Sequence, residues 1–285
     1  MFEFFDRIGI DRETRQRAAQ KIFWNRFGET VVKAAKRAES LFDTVIRNYS
    51  IMSDANGESW LPTTLPSSPL VFDVGFYEGD YTRTVLSHRP GATIVGFDPS
   101  EHAQCCFDPA DFPGGARVTL EQLALSNTPG EATFFDYDNM CNSLSPRRER
   151  SSEAVREYQV AVDTLDDYVD KKNLDANRID LLKVDAEGHD VEVLEGAQEL
   201  LEAQRIDLFM FEFSSAWVNS RYYLRDMVDL LEPTPYRLFR LFNGFLNRFD
   251  YDWSIDSCTT RSAMYVGLSE RRLERGDIPI RDLDL

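Results

Sequence analysis

PLVFDVGFYEGDYTRTV, residues Pro69 to Val85, is the stretch that decides the fold of this chain. Five mostly apolar residues lead into Gly75, a short loop ends at Gly79, and a segment with the pattern of a helix follows. Glycine lets the backbone turn sharply where a side chain would obstruct it. The free N–H groups that open the next helix face any negatively charged ligand group. The stretch therefore predicts the strand, loop and helix with which α/β proteins build nucleotide sites.

The same alternation of strand and helix patterns continues along the rest of the chain. After a first strand at residues 70–74, core strands are predicted at residues 92–98, 117–121, 179–185 and 206–213, with further strands within residues 128–137 and 158–163 and at residues 236–242 and 262–269. Helices are predicted at about residues 80–88, 100–107 and 188–203, where apolar residues recur at helical spacing. Strands that alternate with helices imply a mainly parallel sheet with right-handed crossovers.

The N-terminal part of the chain has a different pattern. Apolar residues at three- and four-residue spacing predict helices over residues 11–49, and a segment rich in Gly, Pro and Ser predicts a linker over residues 53–69. Forty residues make a poor core alone. We therefore expect residues 1–69 to form a helical cap or a homodimer contact plus a linker, and residues 70–285 to form the main domain.

Composition and charge restrict the class of protein. The chain has 285 residues, of which 42% are hydrophobic and 28% charged, as in ordinary soluble proteins. Its net charge of −17 argues against a nucleic-acid partner, because phosphate backbones require a basic surface. The N-terminus lacks the pattern of a signal peptide, and no apolar run approaches the roughly 20 residues of a membrane span. The expectation is a cytoplasmic protein with no membrane span.

The four cysteines give no sign of a metal site in the sequence. Cys105 and Cys106 are adjacent rather than spaced as CxxC, and we expect no histidine ligand beside them. The prediction is that the cysteines are reduced thiols and that the protein has no metal ligands.

Acidic residues at the strand ends indicate the type of cofactor. Ligands of such sheets collect at the carboxyl ends of the strands. Asp98 ends the second strand, where a carboxylate can accept hydrogen bonds from two ribose hydroxyls, although an Asp at this place can also cap the next helix. The first loop is not GxGxxG, because Phe76 and Tyr77 stand where a pyrophosphate would need close backbone approach. This weakens the hypothesis of an NAD-binding site and favours a cofactor without phosphates, such as S-adenosylmethionine.

Six motifs together resemble those of the FkbM-type methyltransferases. In chain order they are VFDVGFYEGDYT, VGFDPS, LALSNTPGEATFF, VDTLDDY, IDLLKVDAEGHDVEVLEGA and MFEF, and the resemblance covers roughly residues 70–268. It implies a Rossmann-like class I methyltransferase fold, with a mainly parallel seven-stranded sheet, an N-terminal helical extension and S-adenosylmethionine as cofactor.

The resemblance also implies a set of cofactor-binding residues. Those at the methionine end are Asp73, Gly75, Gly79 and Thr82, with Phe76 and Tyr77 where many relatives have Ala-Asn. Those beside the ribose and the adenine are Asp98, Pro99, Ser100, Ala124, Leu125 and Ser126. Asp185 and Glu187 correspond to the acidic pair that faces the methyl group and its acceptor.

Three residues are candidates for the catalytic base of an alcohol methylation. His189 directly follows the fourth core strand and is the first candidate, with Glu187 and Asp185 as competitors. The alternative for His189 is a solvated residue at a helix start. A divalent ion held by Asp185, Glu187 and Glu212 is a further alternative, because a bound metal lowers the pKa of a hydroxyl.

The sequence therefore predicts a methyltransferase that O-methylates a hydroxyl of a small molecule, such as a sugar or a secondary metabolite. The main alternative is a protein of the same fold that binds a cofactor or a partner and has lost its transferase chemistry. A nicotinamide oxidoreductase is the third hypothesis. The acceptor itself is not identified by any motif.

Overall fold

The structure is a computed structural model, and it describes residues 33–34, 37–38, 53–113, 117–137, 142–147, 156–174, 178–256 and 262–283. The chain divides into two compact units near residue 48, and the fold below is that of the second unit. The helices predicted over residues 11–49 lie almost wholly outside the described residues. The cap or homodimer contact expected from them therefore stays a prediction.

Twelve strands lie in the described residues. They are β1 (Leu70–Val74), β2 (Thr93–Phe97), β3 (Arg117–Glu121), β4 (Ala124–Leu125), β5 (Gly130–Asp136), β6 (Arg156–Asp163), β7 (Leu181–Val184), β8 (Leu208–Phe213), β9 (Tyr236–Phe242), β10 (Phe245–Arg248), β11 (Ala263–Ser269) and β12 (Ile280–Arg281). A large sheet has the order β12-β10-β9-β11-β8-β7-β1-β2-β3, and a small one has the order β4-β6-β5.

The α/β fold is confirmed, but the prediction of a mainly parallel seven-stranded sheet is wrong in two respects. The large sheet has nine strands in the described part of the chain, and it is mixed. β3, β2, β1, β7 and β8 are parallel, whereas β11 is antiparallel to both β8 and β9. The extra strands come from a β9–β10 hairpin around Asn243 and Gly244 and from β12, which pairs with β10. Asn-Gly is the commonest two-residue hairpin turn.

Short helices cover the sheet. They are α1 (Ser53–Asn56), α2 (Asp80–His88), α3 (Glu101–Cys106), α4 (Leu165–Lys171), α5 (Asp190–Glu195), α6 (Gln198–Glu202), α7 (Trp217–Ser220), α8 (Leu224–Leu231), α9 (Trp253–Asp256) and α10 (Glu270–Leu273). The single helix predicted at residues 188–203 is divided into α5 and α6. The division falls at Gly196, where a Cβ would lie 2.0 Å from the carbonyl oxygen of Ser126. None of the described helices is long and apolar enough to span a membrane.

The core lies on both faces of the large sheet. Alternate residues of a strand point to opposite faces, and in β8 Phe209 and Phe211 pack on one side while Leu208 and Met210 pack on the other. The segment at residues 53–69, for which the sequence predicts a linker, contributes to the second of these layers. Its Leu61 and Leu65 are buried there, so the segment is packed against the domain rather than extended away from it.

The strand order places a crevice between β1 and β7. From β1 the chain continues to β2 and β3 on one side, and it later returns to β7 and β8 on the other. The carboxyl ends of β1, β2, β7 and β8 are in register, with Val74 opposite both Phe97 and Val184. In open α/β sheets ligands bind where the strand order reverses in this way.

Candidate functional site

A cavity of about 680 Å³ opens at these four strand ends. This volume is within the range of roughly 300–1,000 Å³ that is common for small-molecule sites. Polar and acidic side chains from separate parts of the chain meet on its wall, among them Glu58, Asp98, Lys183, Asp185, Glu187 and Glu212. The cavity is therefore the candidate active site.

The turn after β1 requires glycine at residue 75. Gly75 has a φ of +78°, and a Cβ there would lie 2.0 Å from the carbonyl oxygen of Asp185. Its N–H and that of Phe76 both donate to the carbonyl of Phe97, at 3.0 and 3.2 Å. The backbone that leaves β1 is thus fixed between β2 and β7, where it forms one edge of the cavity.

Three hydrogen bonds hold the Asp98 carboxylate next to this turn. Its Oδ2 accepts the backbone N–H of Tyr77 at 2.8 Å, and its Oδ1 accepts the N–H and the hydroxyl of Ser100 at 2.9 and 2.5 Å. A carboxylate has about four lone-pair sites, so acceptor capacity remains for a ligand. Asp98 is only 7% exposed, yet it lies on the cavity wall. These contacts link the glycine loop to the start of α3.

Phe76 and Tyr77 have different structural roles. The Phe76 ring packs against Phe107 and Phe112, with centroids 5.8 and 6.3 Å away, and it lies over Gly96, where a Cβ would be 2.3 Å from the ring. Phe76 is thus a core residue of the loop. The Tyr77 ring instead stacks on His102 at 4.9 Å. The aromatic pair shapes the loop and leaves the cavity open.

A buried ion-pair network lies beneath the loop. The Asp73 carboxylate is 1% exposed and accepts the Thr82 hydroxyl at 2.8 Å. Lys183 Nζ lies 3.7 Å from Asp73 Oδ1 and donates to Asp185 Oδ2 at 3.1 Å. Burial raises the pKa of Asp73 to about 6, although Lys183 opposes the rise. Burial alone would lower the pKa of Lys183, but the charges of Asp185, Asp73 and Glu58 raise it, so the ammonium stays charged.

The turn between β7 and α5 is strained and well braced. Glu187 has a φ of +51°, in the left-handed region that costs a non-glycine residue roughly 1–2 kcal/mol. Gly188 follows with a φ of +93°, and a Cβ there would lie 2.6 Å from the carbonyl oxygen of Ala216. The buried Asp190 accepts the N–H of Gly188 at 3.1 Å, and Ser143 donates to the Glu187 carbonyl at 3.1 Å. Strain of this kind concentrates at functional sites.

Two carboxyls on the cavity wall titrate close to neutral pH. Burial raises the pKa of Glu187 to about 8, the charges of Asp185 and Glu212 add to the rise, and Arg147 opposes it from 3.7 Å. Burial also raises the pKa of Glu212 to about 7. Groups with such pKa values in a cleft are suited to proton transfer.

His189 lies in a different environment from these carboxyls. Its Nε2 is 2.9 Å from the Ser126 hydroxyl and its Nδ1 is 3.3 Å from Glu192 Oε1. Burial lowers the pKa of His189 to about 4, so the ring is neutral and a weak base. The sequence ranks His189 ahead of Glu187 as the base, whereas by these pKa values the Glu187 carboxylate is the more basic of the two groups. The alternative of a solvated helix-start histidine does not fit this burial.

The residues that the resemblance implies for the cofactor divide into two groups. Those on the cavity wall are Gly75, Phe76, Tyr77, Asp98, Pro99, Ser100, Ala124, Leu125 and Asp185. Those that support the wall from behind are Asp73, Gly79, Thr82 and Ser126. Thr82 is fully buried against Asp73, and Gly79 has a φ of +78° at a place where a Cβ would lie 2.7 Å from the Phe76 ring.

Among the cavity residues that the sequence does not predict are Lys183, Asn56, Glu58 and Arg147. Lys183 stands in an otherwise apolar strand, and a lone charge in such a strand was the available signal. Asn56 and Glu58 come from the segment interpreted as a linker, and they hydrogen-bond each other at 2.9 Å. Burial raises the pKa of Glu58. Arg147 lies in a polar loop 40 residues before Glu187. The ion pair between them follows from the tertiary structure and from no motif in the sequence.

The carboxylates of Asp185, Glu187 and Glu212 do not form the divalent-ion site considered as an alternative. Within the described ranges, the three donor side chains whose ligand atoms lie within 4.8 Å of one another are Glu78, His102 and Cys106. The structure thus gives no support for metal activation of an acceptor hydroxyl by the three carboxylates.

A family profile and two individual proteins match the sequence of this chain. The profile of the methyltransferase FkbM domain matches residues 73–241, which is more than half of the chain. The 2-O-methyltransferase NoeI of Sinorhizobium fredii is 27% identical over 180 residues, which cover 57% of this chain and 71% of that protein. Methyltransferase sdnD of Sordaria araneosa is 29% identical over 165 residues, which cover 47% of this chain and 62% of that protein.

Among solved structures, the plantazolicin methyltransferase BpumL in complex with SAH has a TM-score of 0.40 and 11% identity to this chain. The match covers 88% of this chain and 93% of that one. The extent of the domain match decides the assignment: this chain belongs to the family of FkbM methyltransferase domains.

Proposed function

We propose that this protein transfers the methyl group of S-adenosylmethionine to a hydroxyl of a small molecule. The observation that carries the proposal is the position of Glu187, whose carboxyl has a pKa of about 8 and lies on the wall of the cavity at the switch point of the sheet. The printed name of one relative, a 2-O-methyltransferase, supports oxygen as the acceptor atom. A sugar or a secondary metabolite is the proposed acceptor class.

The cavity wall fits the charge and the hydroxyls of this cofactor. S-adenosylmethionine supplies a methyl group on a positively charged sulfonium. We assign the ribose hydroxyls to Asp98, which is fixed by Tyr77 and Ser100, and the amino-acid end to the loop that starts at Gly75. Asp185, at the end of β7, faces the same cavity and favours a positive charge there.

Glu187 is the proposed general base. Its carboxylate would take the proton of the acceptor hydroxyl as the oxygen bonds the methyl carbon and the methyl–sulfur bond breaks, which leaves neutral S-adenosylhomocysteine. A nearby positive charge lowers the pKa of a carboxyl, so the bound sulfonium would bring Glu187 from about 8 towards neutral pH. Arg147, which is 3.7 Å from Glu187 Oε2, acts in the same direction. The braced turn at Gly188 holds the carboxylate in place for a reaction that depends mainly on positioning.

The test is Glu187→Gln, which keeps the size of the side chain and removes the base. We expect kcat to fall by about 10²–10⁴-fold with a panel of hydroxylated acceptors, the usual worth of general-base catalysis. The Kd of S-adenosylhomocysteine, measured by calorimetry, should change little. In the native protein kcat/KM for S-adenosylmethionine should rise with pH through a pKa near 8, because this parameter reports the free enzyme, in which no sulfonium lowers the pKa of the base.

Glu195→Gln is the matched control, since Glu195 bonds the exposed Asn127 away from the cavity. Unchanged kcat in Glu187→Gln would remove Glu187 from the mechanism. Binding of S-adenosylhomocysteine without turnover on any acceptor would favour the degenerate binding protein. Stabilisation by NADH and not by S-adenosylhomocysteine would favour the oxidoreductase.

A further inference from the structure

A second group of reactive side chains lies beside the cavity, on the outer side of the glycine loop. His102 Nε2 is 3.0 Å from Glu78 Oε1 and 3.7 Å from Cys106 Sγ. All three donor atoms lie within 4.8 Å of one another. They come from two elements, because Glu78 belongs to the loop after β1 whereas His102 and Cys106 belong to α3.

The sequence expectation of no histidine beside the cysteines is wrong for Cys106. His102 precedes it by four residues, and side chains four apart in a helix lie on the same face. The Sγ atom contacts both ring nitrogens of His102, at 3.7 and 3.9 Å. The adjacent Cys105 is exposed and does not belong to the group. The sequence signal for this pair is a histidine and a cysteine four residues apart in a helix, which differs from the CxxC spacing of two cysteines.

Two of the three donor separations are close to those of a tetrahedral metal site. Zinc binds nitrogen and oxygen at about 2.0–2.2 Å and sulfur at about 2.3 Å, which separates tetrahedral ligand atoms by about 3.3–3.6 Å. The observed separations of 3.0 and 3.7 Å lie close to this range. One thiolate, one imidazole and one carboxylate suit zinc, whereas magnesium and calcium prefer oxygen ligands alone.

The surroundings of His102 restrict its ring. Tyr77 stacks on it with the centroids 4.9 Å apart and the planes 24° apart. Ser100 caps the start of α3, because its hydroxyl accepts the N–H of Ala103 at 3.1 Å while donating to Asp98. The imidazole is therefore oriented towards Glu78 and Cys106 before any ion binds.

We propose that Glu78, His102 and Cys106 bind a zinc ion, with the fourth position open to water or another ligand. On binding, the Cys106 thiol gives its proton to solvent and the thiolate bonds the ion. The ion joins the glycine loop to α3, the same two elements that Tyr77 and Asp98 connect at the cavity wall. This site does not depend on the proposed methyl transfer.

Alkylation mapping by mass spectrometry tests the site on the full chain without any mutation. At a zinc concentration 100 times the Kd, only about 1% of the site stays free. Alkylation of Cys106 should then slow about 100-fold while Cys105 reacts at its original rate. Equal rates at Cys106 with and without zinc would overturn the proposal, and so would equal protection of both cysteines.

Calorimetric titration with zinc chloride gives an independent measurement. His102→Ala and Cys106→Ser should weaken this site by about 100-fold or more, because even outer-shell partners of a metal are worth 10–100-fold. Cys105→Ser is the matched control and should retain the native affinity. Loss of binding in Cys105→Ser equal to that in Cys106→Ser would contradict the assignment. Circular dichroism confirms that the exposed substitutions leave the fold unchanged.

Discussion

At the scale of single residues, the acidic turn after β7 shows how a fold maintains an unfavourable arrangement. Glu187 is left-handed, and burial raises its pKa to about 8. Both features destabilise the folded state, and both persist because Asp190 and Ser143 hold the turn by hydrogen bonds to its backbone. Backbone strain and a buried carboxyl at the wall of a cavity are typical of active sites.

Asp98 allows a prediction about the cofactor at the same scale. Asp98→Ala removes the carboxylate that we assign to the ribose hydroxyls. Hydrogen bonds to a charged group are worth about 1.5–3 kcal/mol, so the Kd of S-adenosylhomocysteine should rise roughly 10- to 150-fold. Calorimetry on the folded variant gives the value.

Asp108→Ala is the control for this prediction. Asp108 also accepts a backbone N–H, from Ala110 at 2.8 Å, but it caps a short 3₁₀ turn outside the cavity. Its loss should lower stability by about 1 kcal/mol and leave the Kd unchanged. An unaltered affinity in a folded Asp98→Ala protein would refute the ribose assignment.

At the scale of elements, the close approach of β1 to β7 depends on Gly75. Gly75→Ala places a Cβ 2.0 Å from the backbone of Asp185, and it also puts alanine at a φ of +78°. Gly244→Ala shares only the second defect, because Gly244 has a φ of +93° with no atom within 4 Å of its Cβ position. The left-handed backbone costs each variant about 1–2 kcal/mol.

Chemical denaturation should therefore show a larger loss in Gly75→Ala than in Gly244→Ala, by about 1–3 kcal/mol for the steric overlap. Gly75→Ala should also lose affinity for S-adenosylhomocysteine, since the overlap lies at the cavity edge. Equal losses of stability in the two variants would mean that the strand ends separate easily and that the turn does not fix the site.

The sequence predicts the bounds of a strand well where a run of strand-forming residues is uninterrupted. β1, β3 and β9 match their predicted bounds residue for residue, because each is a short run bounded by turn residues. The predicted strands do not include β10 and β12, although the Asn243-Gly244 pair is a hairpin signal between β9 and β10. β12 has only two residues, Ile280 and Arg281, which are too few for a pattern to distinguish the strand from a loop.

The site was partly predictable for a related reason. Asp98 and Asp185 end predicted strands, so their common edge follows from parallel pairing. Lys183 and Glu58 enter the cavity through packing between segments that are far apart in the chain. The pKa values that rank Glu187 above His189 depend on burial, which the sequence does not display.

At the scale of the whole molecule, the chain carries a net charge of −17 and buries several of its acids. Burial raises the pKa of Glu187 to about 8, those of Glu212 and Glu192 to about 7, and that of Asp73 to about 6. A carboxyl with a raised pKa binds its proton more tightly when folded. Its contribution to stability is complete below the unfolded pKa of about 4 and is lost as the pH rises through the folded value.

The free energy of unfolding should consequently fall between pH 6 and pH 8.5. Each proton that the folded state binds in excess of the unfolded state lowers the free energy of unfolding by about 1.4 kcal/mol per pH unit. His189 has the opposite effect on stability, because its pKa is lowered to about 4 in the folded state. The stability gained from His189 as the pH rises is complete near its unfolded pKa of about 6.5, so it changes little above pH 6.5. Denaturant titrations at the two pH values measure the change, and Glu187→Gln should make it smaller.

Glu195→Gln removes the same charge at a site away from the cavity. This control variant corrects for the repulsion among the many negative charges of the chain. The difference in pH dependence between Glu187→Gln and Glu195→Gln therefore measures the effect of burying Glu187. A native protein that gains stability between pH 6 and pH 8.5 would show that these carboxyls are ionised without penalty. Glu187 would then lack the raised pKa on which its proposed role as a base depends.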